Sequence, residues 1–156
     1  MTIAPVIKTV DVKCPPARAF ELFTGRMAAW WPTTHHIGGA PFEAIIIEPA
    51  AGGRWFERGD DGAETPWVKV LVWAPPGRVV LAWQLDADWK YDPNFETELE
   101  ITFTALTAGT HVRLEHRNLE RFGANAEAVA ASLRNGWPSI VDGFAAFADR
   151  SAQADI

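Results

Sequence analysis

Six consecutive strand-like stretches between residues 42 and 119 constrain the fold of this chain more than any other feature. They are rich in β-branched and aromatic residues, and turns or loops containing Gly, Pro, Asp or Asn separate them. In chain order the stretches read FEAIIIEP, GRWFERG, PWVKVLVWA, RVVLAWQL, FETELEITFTAL and THVRLEHRNL. Because consecutive strands are joined by short connections, the pattern predicts an antiparallel meander.

A strand and a helix are predicted before this run. The stretch VIKTVDVKC has the β-branched content of a strand. In CPPARAFELFTG, the two prolines suit the first turn of a helix, where their missing N–H is not needed. Phe20 and Phe23 then lie on one helical face, and Gly25 suits the position that ends the helix.

The C-terminal segment predicts a long helix with one apolar stripe. The stripe consists of Val129, Leu133, Trp137, Val141, Phe144 and Ala148, spaced by 4, 4, 4, 3 and 4 residues. Gly136 and Pro138 interrupt the segment, so we expect a break or a kink there. The stripe keeps its phase through this point, which indicates that both halves cover the apolar face of the same sheet.

The acidic balance of the chain argues against several classes of partner. Net charge is −6, from 14 Lys+Arg against 20 Asp+Glu, and no basic run is present, so neither nucleic acid nor an anionic membrane is expected as a partner. Cys14 is the only cysteine, which excludes an intrachain disulfide and a cysteine zinc site. The chain lacks a signal-peptide core and any apolar run near the roughly 20 residues of a membrane helix. We expect one cytoplasmic domain over residues 1–156, with its core at 6–148.

The order of these elements resembles the START-like helix-grip (SRPBCC) superfamily, and within it the family named after the activator of the heat-shock-protein-90 ATPase. The matching pieces are CPPARAFELFT followed by WW, IEPAAGGRW, VLVWAPPGRVVLAWQ, VRLEHRNL and NGWPSIVDGFAAFA. The resemblance implies an α+β fold in which a curved antiparallel sheet wraps around a long C-terminal helix, with a cavity between them. It also implies ligand binding, whereas cyclases and aromatases are a minority of the superfamily. It implies no particular reaction and no chaperone role.

Alternation along the strands predicts which side chains face the interior. The inward set comprises Val79, Leu81 and Trp83, then Leu99, Ile101 and Phe103, then Val112, Leu114 and His116. On the outer face, Glu100 and Arg117 are predicted to pair across two strands. If Arg54 and Arg58 face the solvent, Trp55 and Glu57 face the interior, because side chains alternate along a strand.

For the stretch PWVKVLVWA, alternation allows two different sets of inward-facing residues. Trp67 and Trp73 share a parity with Lys69, which would bring a charged residue inside. A bulge would resolve the conflict, and so would the other phase, in which Val68, Val70 and Val72 face inward.

His116 and Glu57 are the two polar residues predicted on the apolar face. Because an unpaired buried polar group is costly, His116 is either a core histidine with a hydrogen-bond partner, a residue that orients a ligand, or a catalytic base. Glu57 needs a partner or a raised pKa if it is buried. A His116–Glu57 pair would make an acid/base unit.

The stretch MAAWWPTTHHIGG supplies Trp30, Trp31, His35 and His36. Adjacent histidines in an extended chain point apart and no further ligand spacing is present, so no metal site is expected. One histidine at the cavity mouth, His35, and an exposed loop pair are both open interpretations. Trp30 and Trp31 either pack in the core or form a flap over the cavity entrance.

The favoured hypothesis is binding of a small hydrophobic or aromatic ligand without catalysis and without a cofactor. Eight tryptophans indicate a large aromatic interior or an aromatic-lined cavity. The predicted cavity residues are Trp30, Trp31, His35, Trp55, Trp67, Trp73, Trp83, Phe103, His116 and Trp137. One alternative is a cofactor-free cyclase, aromatase or hydrolase using His116 and Glu57. The other is a stress-related or co-chaperone interaction module, and a protein partner or a homodimer stays open.

Overall fold

The structure is a computed structural model that describes residues 3–32 and 42–154. Within them, seven strands form one antiparallel sheet in the order β1-β7-β6-β5-β4-β3-β2. The strands are β1 Val6–Val12, β2 Phe42–Ile47, β3 Arg54–Gly59, β4 Glu64–Ala74, β5 Arg78–Trp83, β6 Thr97–Leu106 and β7 Gly109–Arg117. Strands β2 to β7 are neighbours in chain order, so the predicted meander is confirmed, and β1 pairs with β7.

Helices follow the first strand and the last. The helices in the described residues are α1 Pro16–Gly25, α2 Met27–Trp30, a 3-10 helix Leu119–Asn125 and α3 Ala126–Ala154. The bounds of α1 agree with the prediction, because a proline occupies its first turn and Gly25 is its last residue.

The predicted α+β helix-grip architecture is confirmed, with the sheet curled around α3. All six residues of the predicted stripe are buried, none more than 6% exposed. The expected break at Gly136 and Pro138 does not end the helix, which continues from Ala126 to Ala154. The apolar stripe is buried on both sides of Pro138, and this burial favours a continuous helix over the interruption that a proline alone would favour.

Two bulges in β4 determine which of its side chains face the core. The β3–β4 register shifts between Trp55 and Phe56, opposite Trp67, and the β4–β5 register shifts at Leu71. Each bulge inserts one residue and moves the following side chains to the other face. As a result Trp67, Val68, Val70 and Trp73 all pack in or against the core, whereas Lys69 is exposed.

The outer face of the sheet carries the predicted ion pair. Arg117 Nη1 lies 2.8 Å from Glu100 Oε1, and the same guanidinium also binds Glu98 and Glu115. Glu100 additionally accepts a hydrogen bond from Arg78. Burial by itself would raise the pKa of Glu100, but the hydrogen bonds from the two arginines outweigh it and lower that pKa.

Candidate functional site

Five buried indole rings meet on the inner face of the sheet, and we call them the tryptophan cluster: Trp31, Trp55, Trp67, Trp83 and Trp137. None of the five is more than 4% exposed. Ring centroids of contacting pairs lie between 5.4 Å (Trp31–Trp55) and 6.2 Å (Trp55–Trp83), in tilted or edge-to-face arrangements. These are the geometries that aromatic pairs prefer, and the five rings form one continuous buried cluster.

Sheet register explains why the rings of Trp55 and Trp83 project from the same face of the sheet. Trp55 on β3 pairs with Val68 on β4, Val68 pairs with Trp83 on β5, and Trp83 pairs with Thr97 on β6. These four residues therefore form one row across the sheet. Side chains in one such row share a face, so both indoles and the Thr97 hydroxyl project into the same interior.

The other three rings reach the cluster from different elements. Trp31 follows α2, Trp137 belongs to the buried stripe of α3, and the first bulge of β4 turns Trp67 inward. Trp67 is the residue that the bulge leaves unpaired, and both Trp67 and its neighbour Val68 belong to the hydrophobic core. The cluster thus depends on the sheet, the bulge and the helix together.

A second aromatic group, which we call the phenylalanine cluster, fills the neighbouring part of the interior. Its members are Phe20, Phe23, Trp30, Trp73, Phe103 and Phe144. Trp30 joins it to Trp31, at a ring distance of 5.9 Å, and donates its Nε1–H to the carbonyl of Leu22 at 3.1 Å. Both tryptophans of the WW pair are therefore buried, Trp30 among phenylalanines and Trp31 among tryptophans.

His116 lies beside the tryptophan cluster, with both ring nitrogens hydrogen bonded. Its side chain is fully buried. Trp137 Nε1 donates to His116 Nδ1 at 3.1 Å, and Thr97 Oγ1 lies 2.7 Å from His116 Nε2. An indole N–H can only donate, so Nδ1 is the acceptor and Nε2 carries the proton of the neutral ring. Burial lowers the pKa of His116 from 6.5 to about 3, so the ring is neutral at physiological pH.

Glu57 is also fully buried and accepts a hydrogen bond from Trp67 Nε1 at 3.0 Å. It does not pair with His116, because Thr97 and Trp137 occupy both nitrogens of that ring. The structure therefore brings His116 and Glu57 to the same aromatic interior without forming the acid/base unit considered from the sequence. As a neutral ring with both nitrogens engaged, His116 is poorly suited to accept a proton.

Two indole N–H groups in this interior have no acceptor among the described residues: those of Trp55 and Trp83. Nothing in the sequence distinguishes them from the satisfied indoles, because the difference lies in the distance to an acceptor. Thr97 was not among the predicted site residues either. Its parity with Leu99 and Phe103 was a usable signal, since it places the hydroxyl on the same inner face as His116.

The remaining candidates lie elsewhere. His35 and His36 fall outside the described residues. Trp89 and Tyr91, in the loop between β5 and β6, are 43% and 37% exposed. Trp89 lines a surface pocket of about 170 Å³ with Asp88, Asn125, Val129 and Ser132.

Neither a metal site nor a membrane span is found in the described part of the chain. Within it, no group of three or more His, Cys, Asp or Glu side chains could hold a metal ion. None of the helices there is long and apolar enough to cross a membrane.

Comparison with known proteins identifies both a family and structural relatives. Residues 13–149 match the family model described as Activator of Hsp90 ATPase homolog 1-like protein. The anthrahydroquino-gamma-pyrone synthase Txn09, solved in complex with a compound named SUM, is 33% identical with a TM-score of 0.65, over 92% of this chain and 96% of its own. Comparison with curated proteins finds no match.

Two further solved structures share the fold. CalC, a self-sacrificing resistance protein from Micromonospora echinospora, is 26% identical with a TM-score of 0.72, over 95% of this chain and 96% of its own. The Aha1 dimer from Colwellia psychrerythraea is 16% identical with a TM-score of 0.66, over 94% of this chain and 97% of its own. At that identity the Aha1 similarity shows the fold alone.

Proposed function

The chain belongs to the Activator of Hsp90 ATPase homolog 1-like family, and we propose that it binds a small aromatic or hydrophobic molecule between the inner face of its sheet and α3. The tryptophan cluster carries this proposal. Ligand sites for small molecules are predominantly apolar and aromatic, with few polar groups that fix orientation. The cluster has this composition, because its polar neighbours are Thr97, His116 and Glu57.

The type of aromatic surface favours a flat ligand. A planar aromatic molecule can contact indole rings in the same edge-to-face and tilted geometries that the cluster already shows. The relative Txn09 is named as a synthase of an anthrahydroquino-gamma-pyrone, which is a fused ring system. This activity is that of the relative, and it supports a polycyclic aromatic molecule as the ligand class of this chain.

Titration of the protein with three-ring aromatics tests the proposal. Fluorene and 9-fluorenone should quench tryptophan emission in a saturable way, because five of the eight tryptophans lie in one cluster. Native mass spectrometry of freshly purified protein should in addition detect a bound small molecule of natural origin.

The matched control separates the cluster from the surface. Trp83→Ala should weaken the quenching, whereas Trp89→Phe should leave the affinity unchanged, because Trp89 is exposed outside the cluster. Linear, non-saturable quenching by both compounds, with no natural ligand in native spectra, would contradict the proposed function.

A second candidate, chemistry on the bound ligand, is favoured by one observation: the relative at 33% identity is called a synthase. The geometry at His116 argues against a histidine base, because Trp137 donates to Nδ1 and Nε2 is protonated. A catalytic role would have to use another group. Chromatography of a fused-ring aromatic compound after incubation with the protein tests this candidate, and recovery of the unchanged compound supports binding alone.

The domain and the assembly stay predictions. We propose that residues 1–156 form a single START-like domain, which the single sheet of the described residues supports. A homodimer is left open, and size-exclusion chromatography with light scattering measures it directly.

A further inference from the structure

The interior presents two buried N–H donors without a partner. Trp55 is fully buried and Trp83 is 4% exposed, yet neither Nε1–H has an acceptor among the described residues. Buried polar groups in folded proteins are nearly always hydrogen bonded, and buried indole N–H groups usually find a partner. An unpaired buried donor therefore needs an explanation, and a bound ligand is one.

Neighbouring indoles show that the interior can satisfy such groups. Trp67 donates to Glu57 and Trp137 donates to His116. The unpaired donors, in contrast, are the two tryptophans of one row across the sheet, separated only by Val68 on β4. Their rings contact each other edge to face, with centroids 6.2 Å apart, so both N–H groups belong to one region of the interior.

The hydrogen bonds around His116 add a third donor to the same row. Trp137 donates to His116 Nδ1, which leaves the proton on Nε2 to donate to Thr97 Oγ1. The hydroxyl hydrogen of Thr97 is then free to donate, and the part of the chain that the structure describes gives it no acceptor. Thr97 pairs with Trp83 in the register, so this hydroxyl lies next to the indole of Trp83 and in the same row as Trp55.

Two buried side-chain acceptors in neighbouring elements are Glu57 and Asn118. Glu57 accepts from Trp67. Asn118 Oδ1 has no partner among the described residues and belongs to the residue that follows β7 and precedes the 3-10 helix. The row itself therefore presents donors.

We propose that the ligand is an aromatic molecule with acceptor oxygens, such as a quinone, ketone or pyrone carbonyl, and that these oxygens accept hydrogen bonds from Trp55, Trp83 and Thr97. This inference rests on the proposed function and specifies its ligand class. A hydrocarbon of the same shape leaves the donors unpaired, whereas each carbonyl oxygen can accept from up to two of them through its two lone pairs. The site then selects for oxygen acceptors by the penalty that it imposes on ligands without them.

A matched pair of compounds tests this selection in the wild-type protein. Fluorene and 9-fluorenone have the same three-ring framework and differ by one carbonyl oxygen. We expect the ketone to bind about tenfold more tightly or better, because a site built around hydrogen-bonding groups rejects analogues that lack the partner. In ¹⁵N-labelled protein, the Hε1 signals of Trp55 and Trp83 should move downfield with 9-fluorenone and not with fluorene.

Single substitutions assign the two indole signals and separate the effect of the N–H donor from that of the aromatic ring. Trp55→Phe and Trp83→Phe remove the donor and keep an aromatic ring, so each should reduce the preference for the ketone more than it reduces the affinity for fluorene. Trp89→Phe is the control and should leave both affinities and the preference unchanged.

Each outcome separates this inference from the proposed function. Equal affinities with no downfield shift of the two indole protons overturn the inference and leave ligand binding intact. Binding of neither compound overturns the proposed function, and the inference with it. If a variant fails to fold, the wild-type spectra with the two compounds still decide the question.

Discussion

Acidification from pH 7 to pH 5 should destabilise this protein through His116. Burial lowers the pKa of His116 to about 3, below the 6.5 of the free side chain. The unfolded chain therefore binds a proton in this pH range that the folded chain does not bind. Stability is thus full above pH 6.5, falls as the pH drops below 6.5, and levels off near the pKa of the folded state.

The size of this effect follows from the two pKa values. With 6.5 in the unfolded chain and about 3 in the folded chain, the free energy of unfolding should fall by about 2 kcal/mol between pH 7 and pH 5. Glu100 does not mask the effect, since its pKa is lowered from 4.5 and its titration lies below this window.

Urea denaturation at pH 7, 6 and 5 measures the change, with tryptophan emission as the signal. NMR of the imidazole nitrogens supplies an independent readout: Nδ1 should stay unprotonated and Nε2 protonated from pH 7 to pH 5. A His116→Phe variant removes the titrating group, and its stability should be lower but independent of pH in this window.

A free energy of unfolding that stays constant within about 0.5 kcal/mol between pH 7 and pH 5 would refute the reasoning, because the linkage relation requires the loss. An imidazole that titrates near 6.5 in the folded protein would refute it equally, since it would mean that His116 is solvated or has an acidic partner.

Three further predictions concern stability. Thr97→Val keeps the shape but leaves His116 Nε2–H without its acceptor, so it should lower the free energy of unfolding by about 1–3 kcal/mol in urea titrations, whereas Thr104→Val on the exposed face should change it little. Gly109→Ala would place a Cβ against the carbonyl oxygen of Val12, at a φ of +151° that side chains rarely adopt. We therefore expect a marked drop in melting temperature by calorimetry, and an unchanged value would show that the pairing of β1 with β7 adjusts without cost. Glu100→Gln should make acid unfolding below pH 4.5 less steep. The pKa of the Glu100 carboxyl is lowered in the folded protein, so its stabilisation is present above the pKa of the unfolded chain and is lost as the pH falls through the folded-state pKa. An acid transition identical to that of the wild type would contradict this.

Sequence alternation predicted the inner face well where strand pairing is regular. Strands β6 and β7 pair without a register shift, and the inward placement of Phe103 and His116 agrees with their burial. The same rule could not decide which residues of β4 face inward, because bulges at Trp67 and Leu71 change the alternation within the strand. A bulge depends on the fit between neighbouring strands, which a single strand does not encode.

Part of the candidate site was predictable in the same way. The sequence placed Trp55, Trp83 and His116 on the inner face and Trp137 on the stripe of the long helix. It did not predict that Trp137 donates to His116 or that Thr97 lies at its other nitrogen. These partners lie 21 and 19 residues from His116. The Trp137 contact depends on how the helix sits across the sheet, and the Thr97 contact depends on the β6–β7 register, in which His116 pairs with Leu99.

The sequence by itself determined the order of strands and helices, the face of most strands and the buried stripe of α3, because side-chain period and turn residues are local properties. Only the tertiary structure decided which of the WW pair joins which aromatic cluster, how His116 is satisfied and which indole N–H groups remain unpaired. The physical reason is distance: a hydrogen bond forms within about 3 Å between atoms from separate elements, so small shifts in sheet register and helix position determine whether a donor finds its acceptor.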